Sequence, residues 1–295
     1  RAATSRGVQL SYGLERTAAR RQPPKGRVIS LSNSLLLFPH RGDDPPLLRF
    51  LSGTWSGLAP AIEHMEVWIV RHGQRVDEAP GPERERWKRS PRGRERWYDP
   101  PLTREGRAQA RRAGQYLSRL PFQQVEPEFG FTRVYTSPLL RAVSTAFVIA
   151  EELGLVVQVV VGLCQCAAAI EKRGLSQLPV LSDEDILNHF PGAGSTLVAR
   201  DPQGPVTFSE ACAWLAERPE PRVLAVGHRE GIRGLAKADA EASMLAGAPT
   251  PGRVPTPCCC IARFGLHPSE AAADPQADAS GSYKYRLLEL VGCEG

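Results

Sequence analysis

The first strongly apolar run of the chain, Val67-Trp68-Ile69-Val70, leads straight into Arg71-His72-Gly73-Gln74-Arg75. Arginine binds phosphate oxygens through two parallel hydrogen bonds, and a neutral imidazole nitrogen can attack phosphorus. A histidine between two arginines therefore suits an anionic, phosphorylated substrate. Taken alone, the triplet would fit equally well a strand end with a few solvated charges. The layout returns, however: Val223-Leu224-Ala225-Val226 ends in Gly227-His228. Two histidines at equivalent ends of two apolar runs are hard to read as core residues. One more cation, Arg141, falls in the first turn of a helix expected after Ser137-Pro138.

These side chains need elements that bring them together. The short runs 67–70, 133–136, 155–161 and 223–226 read as buried strands, because apolar residues dominate them, with only Arg133, Thr136 and Gln158 polar. Helices alternate with them. One is expected over about 104–119 behind the N-cap Thr103. A second should run from Ser137-Pro138 to Leu153 and close at Gly154. A third comes after the capping box Thr207-Phe208-Ser209-Glu210. Apolar strands alternating with helices predict a three-layer α/β/α sandwich around a mixed, mostly parallel sheet. Ligands of such sheets gather beyond the carboxyl ends of the strands, where both histidines fall.

Residues 162–205 read as an insertion with one or two short helices, and 76–101 as a charged, solvated loop over the pocket mouth. Cys258–Phe264 and Tyr283–Val291 read as a closing strand pair, joined by a flexible loop over about 267–282. The domain is expected to span 65–293. Residues 1–64 are expected outside it, as an Arg- and Ser-rich transit peptide or as upstream sequence translated ahead of Met65.

Composition narrows the function. The net charge of +5 is located entirely in residues 1–64, which hold nine basic and four acidic residues; the remainder holds 28 of each. A general affinity for polyanions is therefore not expected of the body, which needs a focused basic pocket instead. Nucleic acid is not expected as a partner, and no run is long enough to cross a membrane. The seven cysteines are odd in number and clustered, and the six histidines lack zinc-ligand spacing. No disulfide framework, metal or cofactor is expected, and the default compartment is the cytoplasm, or an organelle if 1–64 is a transit peptide. Cys258-Cys259-Cys260 reads as strand with buried thiols.

Four ordered blocks now carry a resemblance: Arg71-His72-Gly73; Leu102-Thr103 with Gly106 and Gln109-Ala110; Ser137-Pro138 with Arg141 and Thr145-Ala146; and Gly227-His228. Together they resemble the histidine phosphatase superfamily, with its phosphoglycerate-mutase-like fold, over Glu66 to about Val291. A finer likeness rests on Arg71 to Asp77, on Asp99-Pro100-Pro101-Leu102-Thr103 and on Gly162-Leu163-Cys164. These look like the phosphatase domain of the suppressors of T-cell receptor signalling. The resemblance implies a metal-independent phosphomonoesterase in which His72 becomes a phosphohistidine. Arg71, Arg75, Arg141 and His228 would hold the non-bridging oxygens. A nucleophilic His72 should donate from its other nitrogen to a nearby carbonyl.

One position departs from the pattern. Where the related phosphatases place an acid to protonate the leaving oxygen, this chain has Gln165, with Glu171 the nearest substitute. Glutamine cannot deliver a proton, so aryl phosphates or phosphotyrosine, on a small molecule or a phosphoprotein, are the expected substrates. A weakened or inactive module that only binds phosphorylated partners is the alternative.

Overall fold

The computed structural model describes residues 65–125, 129–164, 174, 178–245, 254–268 and 283–292. Residues 1–64, Gln165 and Glu171 lie outside them, and so does most of the loop expected over 267–282.

Strands β1 (Glu66–Arg71), β2 (Arg133–Thr136), β3 (Val156–Val159), β4 (Leu197–Val198), β5 (Arg222–Gly227), β6 (Ile261–Pro268) and β7 (Tyr283–Val291) form one sheet in the order β4-β3-β2-β5-β1-β6-β7. The pairs from β4 to β1 are parallel; β6 and β7 close the edge antiparallel. The helices are α1 (Pro82–Arg89), α2 (Pro91–Glu95), α3 (Arg104–Ser118), α4 (Pro121–Gln124), α5 (Leu140–Leu153), α6 (Asp183–His189), α7 (Phe208–Ala216) and α8 (Arg229–Leu245). The protein is thus an α/β fold with a mixed, mostly parallel sheet flanked by helices.

The period of two along β1 explains why its run is apolar throughout. Trp68 and Val70 pack with Ala110, Ala113 and Leu117 of α3 and Ala142, Ala146 and Ile149 of α5. Val67 and Ile69 face Ala211 and Leu215 of α7 and Ile232 of α8. A strand buried on both faces favours apolar side chains along its middle, and the buried charges Glu66 and Arg71 stand only at its two ends. Trp68 anchors the first layer edge-on to Phe122 and Phe131, with ring centroids 5.8 and 5.7 Å away. Gly114 lets α3 approach α5 closely: a Cβ there would meet Glu152 Cβ at 2.9 Å.

Several expectations need correction. The charged stretch over 76–101 is not all loop. Two prolines at first helical positions start α1 and α2, and Ser90 caps α2 through Gly93 N. The only buried residue of the two helices is Gly93, so their charges are solvated as expected. The insertion over 162–205 supplies a sheet strand, β4, paired with β3. Helix α8 has no counterpart among the expected elements, because Arg, Gly, Lys, Asp and Glu dilute its apolar stripe. Cys258–Cys260 precede β6 in a turn, with Cys259 at φ 56°; Cys259 and Cys260 are buried, Cys258 only partly. His267 and Pro268 belong to β6 rather than to a loop.

Candidate active site

Register builds the site. In the parallel β1–β5 pair, Val67 lies opposite Val223 and Arg71 opposite Gly227. The next residue on each strand is a histidine, so His72 and His228 emerge side by side, ring centroids 5.3 Å apart. Both are buried at 3% exposure. The His72 amide donates to the Gly227 carbonyl at 3.1 Å, extending the ladder one step past the strands.

The loop after His72 is locked by helices α3 and α5. The Gly73 amide donates to Thr145 Oγ1 at 3.1 Å, and the Gln74 amide to Gln109 Oε1 at 2.9 Å. Thr103 caps α3 through the Gly106 amide (2.8 Å) and also donates to Gln74 Oε1 at 2.9 Å. The two glycines interlock: a Cβ on Gly73 would stand 2.3 Å from Gly106 O, and one on Gly106 would stand 2.2 Å from Gln74 O. Thr103, Gly106 and Gln109 thus serve to hold the His72 loop.

His72 Nδ1 lies 2.8 Å from the Gly73 carbonyl oxygen. A carbonyl only accepts, so Nδ1 carries the proton and Nε2 keeps its lone pair. Burial, helped by the Arg141 charge, holds the His72 imidazole well below its usual pKa, although the Gly73 hydrogen bond opposes this. His228 is depressed in the same way, by burial first and then by Arg141, Arg75 and Arg71. Both rings thus favour the neutral form more strongly than a free imidazole does.

The arginines converge from different elements. Arg71 is 7% exposed; Nη1 donates to the Thr256 carbonyl at 2.7 Å, and its buried Nε has no partner among the described residues. Arg141, 3% exposed in the first turn of α5, donates from Nη1 to the Tyr98 carbonyl at 2.9 Å. His228 Nε2 is 2.9 Å from Ser137 Oγ, while its buried Nδ1 lacks a partner among the described residues. Arg75 is half-buried at the mouth. Its Nη2 donates to Asp77 Oδ2 at 3.0 Å, and Nε stands 3.0 Å from Oδ1 without hydrogen-bond alignment.

The structure therefore places His72, His228, Arg71, Arg75 and Arg141 in one cradle. Ser137, expected as the cap of α5, bonds His228 instead. The cap role passes to Asp99, whose Oδ1 accepts from the Leu140 amide at 2.8 Å. Asp99 is 1% exposed and also lies 3.6 Å from Arg141 Nη1 and 3.4 Å from Arg96 Nη2. Burial pushes its carboxyl up against the pull of both arginines. Asp99 is not among the site residues expected from the sequence, although it opens the Asp99-Pro100-Pro101 block. Neither is Glu78, whose Oε1 lies 3.2 Å from Arg75 Nη2 and 3.6 Å from Arg71 Nη2.

A cavity of about 680 Å³ lies elsewhere, between α7, α8 and β7, and shares no lining residue with this cradle. Among the described residues no helix is long and apolar enough to cross a membrane.

The model of the histidine phosphatase superfamily (branch 1) matches residues 67–173, the segment carrying His72, Thr103 and Arg141. It supports the resemblance at the level of that superfamily. Comparison with curated proteins finds no match. Among solved structures, a mycobacterial glucosyl-3-phosphoglycerate phosphatase is 20% identical, with 76% of this chain and 97% of that chain covered and a TM-score of 0.38. A phosphoglycerate mutase from Bacillus anthracis is 15% identical, covering 76% and 92%, with a TM-score of 0.37. An ecdysone phosphate phosphatase from Bombyx mori is 18% identical, covering 68% and 88%, with a TM-score of 0.36. Values this low mark similarity and no more.

Proposed function

We infer that the chain is a phosphomonoesterase working through a phosphohistidine on His72. One observation carries the reading. A neutral histidine, tied through Nδ1 to Gly73 O, stands beside two buried donor nitrogens, Arg71 Nε and His228 Nδ1, that no described residue satisfies. Buried polar nitrogens left open in one place fit an anion that supplies the missing acceptors.

In this reading a phosphate monoester enters with its non-bridging oxygens on Arg71, Arg75, Arg141 and His228. For His228 Nδ1 to donate, the Ser137 hydroxyl must donate to Nε2. His72 Nε2 attacks phosphorus in line as the ester P–O bond breaks, and the Gly73 carbonyl steadies the proton on Nδ1. Water then attacks the phosphohistidine, releasing inorganic phosphate and restoring His72. The arginines supply positive charge, and neutral His228 a further hydrogen bond, to the negative charge that spreads over the oxygens in the transition state, so the reading needs no metal ion. The finer likeness to the suppressors of T-cell receptor signalling, with Gln165 at the usual acid position, favours phosphotyrosine or other aryl phosphates, on a small molecule or a phosphoprotein.

The test is para-nitrophenyl phosphate hydrolysis by the full chain in EDTA, beside His72→Ala. Turnover that disappears with His72 is the expected result. Phosphate binding by a parent chain that turns nothing over would instead mark a phosphate-binding module.

A further inference from the structure

Phosphoryl transfer to His72 leaves one proton unassigned. His72 enters with its only proton on Nδ1 and hydrogen-bonded to Gly73 O, so it has none to give to the departing oxygen. His228 is held neutral and is bonded at Nε2 to Ser137. Asp99 is committed to the Leu140 amide and lies against Arg141 and Arg96. Asp77 accepts from the end of Arg75. Cys258, half-buried at the mouth, feels the charges of Arg71, Glu78, Arg75 and Arg229, and burial pushes its thiol up. Glu78, by contrast, touches two of the arginines at once, Arg75 and Arg71.

We propose that Glu78 is the general acid of this site, donating a proton to the leaving oxygen of the phosphate ester. The proposal rests on the phosphatase reading and extends it from aryl to alkyl phosphates. The geometry supplies the warrant. Glu78 Oε1 lies 3.2 Å from Arg75 Nη2 and 3.6 Å from Arg71 Nη2. A phosphoryl group bound by those two guanidinium groups would lie beside this carboxylate. A bound phosphate takes over those arginines and sets its own oxygens beside Glu78. The side chain is 32% exposed, so it can exchange protons with solvent between turnovers.

The step balances. The Nε2–P bond forms, the P–O bond to the alcohol breaks, and the Glu78 O–H proton passes to that alcohol oxygen. In the second half Glu78, now a carboxylate, takes a proton from the water that attacks phosphohistidine, and the Nε2 lone pair returns. Acid assistance is typically worth about 10²–10⁴ in rate, and most for leaving groups of high pKa.

The experiment measures kcat/KM over a series of phosphate monoesters from dinitrophenol through phenol to an alkyl alcohol, for the full chain and for Glu78→Gln. The expected result is a steeper leaving-group dependence in Glu78→Gln. Alkyl phosphate turnover should fall by about 10²-fold or more, and dinitrophenyl phosphate by less than about threefold. Glu78→Asp should restore part of the alkyl rate. An equal fall for every ester would make Glu78 a positioning residue for the arginines and overturn the proposal. A rise for every ester would show it to be a competitor of phosphate and overturn it equally. His72→Ala, run on the dinitrophenyl ester, separates the two readings. Turnover there that ignores His72 refutes the phosphatase mechanism, whereas a flat leaving-group response with intact His72 dependence refutes only Glu78. No turnover of any ester by the parent chain would overturn both.

Discussion

The floor and the mouth of the cradle are built on different principles. At the floor, backbone register does the placing. His72 and His228 sit just past paired strand ends, and the loop between β1 and α3 is pinned by its amides on Thr145 and Gln109. At the mouth, Arg75, Asp77 and Glu78 are held by one another and are partly exposed. A register cannot yield without loss of the sheet. Charge pairs at a surface contribute at most about 1 kcal/mol and can exchange one anion for another. The floor is therefore preorganised, whereas the ion pairs at the mouth are free to rearrange.

Substitutions sharpen that contrast. At the floor, His72→Ala should reduce hydrolysis of para-nitrophenyl phosphate to background while circular dichroism stays unchanged. Arg141→Ala should cost about 10²–10³ in kcat, as removal of a preorganised charged donor does. Gly106→Ala should cost about 2–3 kcal/mol in urea unfolding, because its Cβ would meet backbone rather than a yielding side chain. Asp99→Ala should cost a similar amount, about 3 kcal/mol, by leaving the Leu140 amide and Arg141 buried without it. At the mouth, Asp77→Asn should change stability by less than about 1 kcal/mol and raise KM only a few-fold. Equal losses at mouth and floor would remove the distinction.

The buried histidines set the pH response. Both have folded pKa values depressed below 6.5, so the unfolded chain binds protons that the folded chain does not. Stability is thus fully present above about pH 6.5 and declines as pH falls towards the depressed folded values, by up to about 1.4 kcal/mol per pH unit for each ring. The melting temperature should drop below pH 6.5 and do so less in His228→Asn. The acid limb of kcat/KM should lie below pH 6.5, since His72 stays unprotonated there.

The floor is legible in the sequence for a physical reason. Unbroken apolar runs ending in Arg-His-Gly and Gly-His identify strands buried on both faces and mark the residues at their carboxyl ends, and Thr103 announces a helix start. Interactions over long sequence separations are not legible. Asp99 caps α5 from 41 residues away, and nothing local distinguishes it from the other acids of a charged stretch. Ser137 illustrates the same limit: it has the composition of a cap, yet the register brings His228 to it. Glu78 sits three residues from Arg75, but its contact with Arg71 depends on how the chain turns after β1. Helix α8 is hidden by its many charged and small residues, whose burial on one face only the sheet reveals.

The central claim is that phosphorus bonds to His72. Rapid quenching of the full chain during para-nitrophenyl phosphate turnover, then peptide mapping under alkaline conditions that preserve phosphohistidine, tests it directly. The expected result is a phosphate on His72 in the parent chain, lost in His72→Ala together with turnover. Turnover that proceeds in His72→Ala, or a label on another residue, would contradict the account.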